Sequence, residues 1–203
     1  MADEVAGTMS AVVAYSIRTY GDPILRQPTV DVTEIDGALK QLTDDMIGVM
    51  YAAPGVGLAA PQIGVQKRVF VYDAGDGPFT VINPRITESS GEWTYDEGCL
   101  SVPGLSWPIV RPRNILLEGL DVDGNELAIE AEEYLARVYQ HEIDHLDGVL
   151  LIERLDPDLR KQAMATLRQM TFDPWVIIST SDGAGRDRAR VDGADRDGGT
   201  PRL

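Results

Sequence analysis

The chain contains two histidines, and they stand four residues apart in the string Gln140-His141-Glu142-Ile143-Asp144-His145-Leu146. Two histidines placed at random in 203 residues fall four apart in roughly 1 in 100 arrangements, so coincidence is a poor account of the spacing. On an α-helix, residues i and i+4 stack on one face with Cβ atoms about 5–6 Å apart, and both imidazoles then reach one metal ion. Glu142 lies about 100° round such a helix, near enough to hydrogen-bond a water on that ion without ligating it. A carboxylate base beside a metal-polarised water is what hydrolysis at neutral pH requires.

A catalytic divalent site takes three protein ligands and keeps one position open. No third histidine exists, which leaves a carboxylate or the single cysteine, Cys99. Cys99 stands in Glu97-Gly98-Cys99-Leu100-Ser101-Val102-Pro103-Gly104, where glycines on both sides let backbone approach a ligand closely. Structural zinc sites are usually closed sets of four ligands rich in cysteine, so one cysteine and two histidines favour catalysis. The competing enzyme is a zinc endopeptidase on the same helix, which would need a third ligand downstream; Glu153 is the available carboxylate. A third segment, Gly55-Val56-Gly57-Leu58-Ala59-Ala60-Pro61-Gln62, is rich in small residues and ends on an amide with two donors on a short arm. It lacks the Lys-Ser/Thr of a phosphate loop, so it gives nucleotide binding little support.

The elements that must position these groups are legible in part. Residues 34–52 carry apolar side chains at Ile35, Leu39, Leu42, Met46, Ile47, Val49 and Met50, close to a 3.6-residue period, and predict a helix ending at Pro54-Gly55. Residues 69–72, 80–82 and 115–120 are short β-prone runs, and Asp123-Gly124 marks a hairpin turn. Helical periodicity returns over residues 132–146 and again over 157–170, where Leu159, Ala163, Leu167 and Met170 share a face. Helix, then strands, then helix reads as α+β and not as an alternating βαβ chain.

Formal charge is −15, from 18 basic and 33 acidic residues. Residues 179–203 hold five Asp and five Arg, which cancel, so the whole acidity falls on residues 1–178. That segment also holds five Gly and no aromatic residue, too little apolar surface to offset its ordering entropy, and it is expected to be a disordered tail. An acidic body argues against DNA as a partner, because backbone binding is driven by Lys and Arg. A lone cysteine and the lack of a signal-like or membrane-spanning apolar run point to a cytoplasmic protein with no membrane partner.

The three motif segments, in this order and spacing, resemble the peptide deformylases, and Ile17-Arg18-Thr19-Tyr20-Gly21-Asp22-Pro23-Ile24-Leu25-Arg26 is similar to that family's N-terminal strand region. The resemblance implies mixed, mainly antiparallel sheets packed around a central helix carrying His-Glu-x-x-His, with a C-terminal helix. It divides the chain into an N-terminal extension (1–15), a catalytic domain (16–178) and the tail (179–203). It further implies that Cys99, His141 and His145 bind one divalent ion with water as fourth ligand, Fe(2+) by family likeness, although Zn(2+), Ni(2+) and Co(2+) also suit this donor set. Glu142 would act as base and then acid, the Leu100 N–H and the Gln62 amide would hold the oxyanion, and Val56 and Gly57 would pair with the substrate backbone. The expected partners are N-formylmethionyl peptides and nascent chains, whose formyl group would be released as formate. A transient ribosome contact is expected through Arg160, Lys161 and Arg168.

Overall fold

The computed structural model describes residues 15–170 and the backbone of 177–178. The expected tail over 179–203, and all of the expected N-terminal extension but Tyr15, lie outside the described residues. In chain order the elements are β1 (Tyr15–Ser16), α1 (Gly37–Ala52), β2 (Gly57–Ala59), β3 (Val69–Tyr72), β4 (Phe79–Ser90), β5 (Trp93–Cys99), β6 (Val102–Arg111), β7 (Asn114–Leu120), β8 (Glu126–Glu132), α2 (Glu133–Leu146), α3 (Pro157–Gln169) and β9 (Ile177–Ile178). Single 3₁₀ turns occupy Pro23–Arg26, Ala60–Ile63 and Leu151–Arg154. The class is α+β, as expected. Strands β2-β3-β4-β7-β8 form one sheet, β5 and β6 a separate hairpin, and β1 and β9 a short pair. Among the described residues every strand pair is antiparallel, and parallel contact is confined to the bridge between Val30 and Lys67.

Helix α1 begins at Gly37, three residues inside the expected start, because the Asp36 side chain accepts the Leu39 N–H at 2.8 Å and caps it there. Its face of Leu39, Leu42, Met46, Val49 and Met50 is buried against Leu58, Val69, Val71 and Ile82. The predicted hairpin forms between β7 and β8, where the Asp121 side chain accepts the Asp123 and Asn125 N–H groups at 2.8 and 2.9 Å. Strand β4 is longer than expected. It continues through Asn83-Pro84 as a bulge between Ile82 and Arg85; Asn83 takes a left-handed φ of 52°, and the Pro84 carbonyl turns to the Arg68 guanidinium at 3.0 and 3.1 Å. Strand β6, with Pro103 and Pro108 in it, has no sequence signature, since proline normally argues against a strand. It survives because a two-stranded hairpin leaves one side of each strand free of ladder bonds.

Helix α2 is central. Every residue from Ala136 to Leu146 is buried, with Val138, Tyr139 and Leu146 packed on Phe70, Val81 and Leu117 of the large sheet. Helix α3 is capped by Asp156, which accepts the Asp158 and Leu159 N–H groups at 3.0 Å, and buries Ala163 and Leu167 in a cluster with Leu25, Ile109 and Leu151. Residues 17–30 stitch these parts together. The Arg18 N–H donates to the Gln62 carbonyl at 2.6 Å, the Tyr20 N–H to the Ser101 carbonyl at 2.8 Å and the Thr29 N–H to the Leu146 carbonyl at 2.8 Å. One strap therefore touches all three motif segments. Among the described residues no helix is long and apolar enough to cross a membrane.

Asn83 also clamps that strap's continuation: its Oδ1 accepts the Val32 N–H at 2.8 Å and its Nδ2 donates to the Val32 carbonyl at 2.9 Å. Asn83→Ala removes both bonds and puts a less tolerant residue at positive φ, so it should lower unfolding free energy by about 2–3 kcal/mol. Urea titration reads this as a lower midpoint at unchanged slope.

Candidate metal centre

Cys99 closes β5 where the register to β6 breaks: Gly98 pairs with Ser106, but Cys99 pairs with Val102. That irregularity sets the thiol over α2, which supplies His141 and His145 one turn apart. The three ligand atoms lie within 4.8 Å of one another. Cys99 Sγ is 3.2 Å from His145 Nε2, and the two imidazole rings meet edge-on with centroids 5.0 Å apart. All three side chains are buried.

This donor set fits a divalent cation. His141 Nε2 is buried with no hydrogen-bond partner, an arrangement that is costly unless a ligand fills it. Burial alone would raise the Cys99 thiol and lower His141. The neighbouring histidines instead hold the thiol well below its ordinary value, while Cys99 and Glu97 push His141 up to about 10. Both directions express the same demand, a thiolate needing positive charge beside it, and a metal ion meets that demand.

Glu142 is fully buried, and neither carboxylate oxygen has a partner. Burial raises it to about 7 against the pull of both histidines, the range of a group that takes up and returns a proton. Gly57 lies so close that a Cβ there would strike the Glu142 carboxylate, and a Cβ at Gly55 would stand 2.7 Å from Leu100 Cδ1. The glycines of this segment thus let the Glu142 and Leu100 side chains approach closely. Gln62 opens onto the same place: its Oε1 accepts the Ala59 N–H at 2.8 Å, and its Nε2 lies 3.3 Å from Ser101 Oγ and 3.9 Å from Cys99 Sγ. Leu100 occupies the turn after Cys99, and Gly57 opens β2, an edge of the large sheet, with Val56 just before it. The Val56 carbonyl is already engaged by the Asp73 N–H at 2.9 Å. Glu153, the alternative third ligand, is elsewhere: it pairs with Arg26 at 2.7 Å and accepts the Leu150 N–H.

The sequence reading missed the shell behind the ligands. Glu97 accepts from Arg111 Nε and Nη2 at 2.6 and 2.9 Å, from Arg137 Nη1, and from His141 Nδ1 at 3.1 Å. A carboxylate at Nδ1 requires the proton there, which turns Nε2 of His141 towards the thiol. Arg111 continues to Asp144 at 2.8 Å, and Asp144 to Arg154. Arg137 donates to the Trp93 carbonyl at 2.6 Å and lies 5.0 Å from the Trp93 ring. The one available signal was Arg137, a charge four residues before His141 on the same helical face.

A buried thiolate and two imidazoles on an α+β scaffold, with a raised carboxylate beside them, define a metal-dependent hydrolase. The family model described as polypeptide deformylase matches residues 14–161. A peptide deformylase of Acidothermus cellulolyticus is 50% identical over 174 residues, covering 85% of this chain and 97% of that one. Among solved structures, the peptide deformylase of Legionella pneumophila matches with a TM-score of 0.73 at 39% identity, over 77% of this chain and 95% of the other. That of Thermus thermophilus matches with a TM-score of 0.73 at 44% identity, over 76% and 93%. The chain belongs to the peptide deformylase family.

Burial would raise Glu97, but its hydrogen bonds from His141 and Arg111 hold it far below the ordinary carboxylate range. A lowered folded pKa contributes stability that is complete above the unfolded value of about 4.3 and is lost as pH falls through the lower folded value. Glu97→Gln should therefore flatten the acid limb of the stability profile. At neutral pH it should cost about 3–5 kcal/mol, because buried Arg137 loses its counter-charge and buried Arg111 keeps only Asp144. Denaturant unfolding between pH 2 and 7 measures both.

Proposed function

We propose that this chain hydrolyses the N-formyl group of the N-terminal methionine of newly synthesised polypeptides, releasing formate and a free amine. The observation that carries the reading is the unpartnered, fully buried Glu142 carboxylate beside the Cys99/His141/His145 triangle. A formamide is a poor electrophile, and a divalent ion held by Cys99, His141 and His145 supplies Lewis acidity that polarises the formyl oxygen and acidifies water. Fe(2+) is the metal we propose; Zn(2+), Ni(2+) or Co(2+) fit the same donors.

The remaining steps belong to the protein. Glu142 takes the proton from the attacking water and returns it to the nitrogen as the carbon–nitrogen bond breaks, so the amine leaves neutral. The Leu100 N–H and the Gln62 amide donate to the oxygen on which negative charge develops, and fixed donors of this kind are each worth roughly 10²–10³ in rate. Val56 and Gly57 pair with the extended substrate along the edge of β2, as an added strand does. With the Val56 carbonyl committed to Asp73, this pairing falls to the other backbone groups of the two residues. A cytoplasmic location, and a transient ribosome contact through Arg160, Lys161 and Arg168 of α3, complete the proposal.

Protein purified without oxygen, analysed for metal and assayed on formyl-Met peptides against the same peptides with free or acetylated N-termini, tests the reading. Only the formylated peptide should react, and cleavage of an internal bond would move the protein to the endopeptidases. Glu142→Ala should keep its metal and lose about 10²–10⁴ in kcat. Cys99→Ser should bind the ion weakly or exchange it, visible as sub-stoichiometric metal after dialysis.

A further inference from the structure

Gln62 has more freedom than its role allows. A glutamine has three side-chain torsions, and its amide can present either end; placing one N–H at a developing charge requires both to be settled. The Ala59 N–H settles which end is presented, because a donor 2.8 Å away must face the amide oxygen. The tilt of the amide plane about the last torsion rests on Ser101. Its Oγ lies 3.3 Å from Gln62 Nε2 and accepts one of the two amide hydrogens. The other amide hydrogen faces Cys99 Sγ at 3.9 Å, the longest contact around the amide, and gives way readily to a ligand oxygen beside the sulfur. Ser101 is a firm post for this purpose. It is fully buried, and its carbonyl is held by the Tyr20 N–H of the strap at 2.8 Å.

We propose that Ser101 is a positioning residue for the deformylation step, fixing the last torsion of Gln62 so that the amide hydrogen facing Cys99 points to the substrate oxygen beside it. The proposal rests on the oxyanion role of Gln62. Ser101 touches no reacting atom, so its contribution appears in kcat and passes wholly through Gln62.

The test is a double-mutant cycle on the metal-loaded enzyme, with Ser101→Ala, Gln62→Ala and both together, plus Ser101→Thr as the variant that keeps the hydroxyl. Each is read by kcat and KM on a formyl-Met peptide, by metal stoichiometry, by the thiolate absorption of the cobalt-substituted protein and by Tm. Ser101→Ala should lower kcat about 10–100-fold with KM within about twofold and an unchanged cobalt spectrum. Ser101→Thr should restore kcat to within about threefold. In the Gln62→Ala background, Ser101→Ala should change kcat by less than about twofold. The proposal is overturned if Ser101→Ala is near wild type, if its loss adds in full to that of Gln62→Ala, or if metal and Tm fall with kcat and Ser101→Thr does not recover them. Full activity in Gln62→Ala would overturn the oxyanion role itself and this proposal with it. A large loss there beside an active Ser101→Ala would overturn only the positioning role.

Discussion

The structure turns on one buried carboxylate. Glu97 receives hydrogen bonds from two arginines and a histidine, and through Arg111 its charge reaches Asp144 and Arg154. The hairpin of β5 and β6 shares no ladder with the large sheet, so its attachment to α2 needs another source. On its apolar side Cys99, Val102 and Ile109 cluster with Leu151 and Leu155 of the turn that follows α2. On its polar side the attachment is this ion network, with Glu97 and Arg111 on the hairpin and Arg137, His141 and Asp144 on the helix. Replacing a buried ion pair by apolar groups is often neutral for stability. What apolar groups cannot do is set the tautomer of His141 and the distance between the cysteine strand and the histidine helix.

The same residue type is driven in opposite directions within one site. Glu97 and Glu142 are both buried glutamates, yet one is surrounded by donors and held acidic while the other is left bare and raised towards neutrality. The fold allots four donor atoms to the carboxylate that must stay charged and none to the one that must trade protons. This division is how one chemical group serves as anchor and as base. Gly57 protects the arrangement from the other side, since any side chain there would occupy the space that Glu142 needs.

Legibility in the sequence followed the range of the forces involved. The spacing of His141 and His145, the Asp123-Gly124 turn and the four-residue run of β3 are local facts, and each was readable. The span of α1 was overestimated because Ile35 continues the apolar rhythm before the Asp36 cap, which only the backbone reveals. Strand β6 and the far half of β4 were hidden by Pro84, Pro103 and Pro108, whose tolerance depends on a bulge and on a hairpin's open side. The Glu97 network was invisible for a different reason. Buried charge is rare enough that Arg111, Arg137 and Glu97 read as solvated until their partners, brought from 14 to 44 residues away, are known.

The strap over residues 17–30 has a bearing on how the molecule comes into being. Thr29 closes on Leu146 across a separation of 117 residues, while Arg18 and Tyr20 close on Gln62 and Ser101. Closing loops of that length is entropically expensive and comes before the contacts that reward it. During synthesis the strap must wait for α2, 117 residues beyond Thr29, before its last hydrogen bond can form. A chain that stops short of His145 lacks one of the three ligand residues, so the centre forms only after α2 has been made. Assembly of the centre is therefore a late event in the making of each molecule.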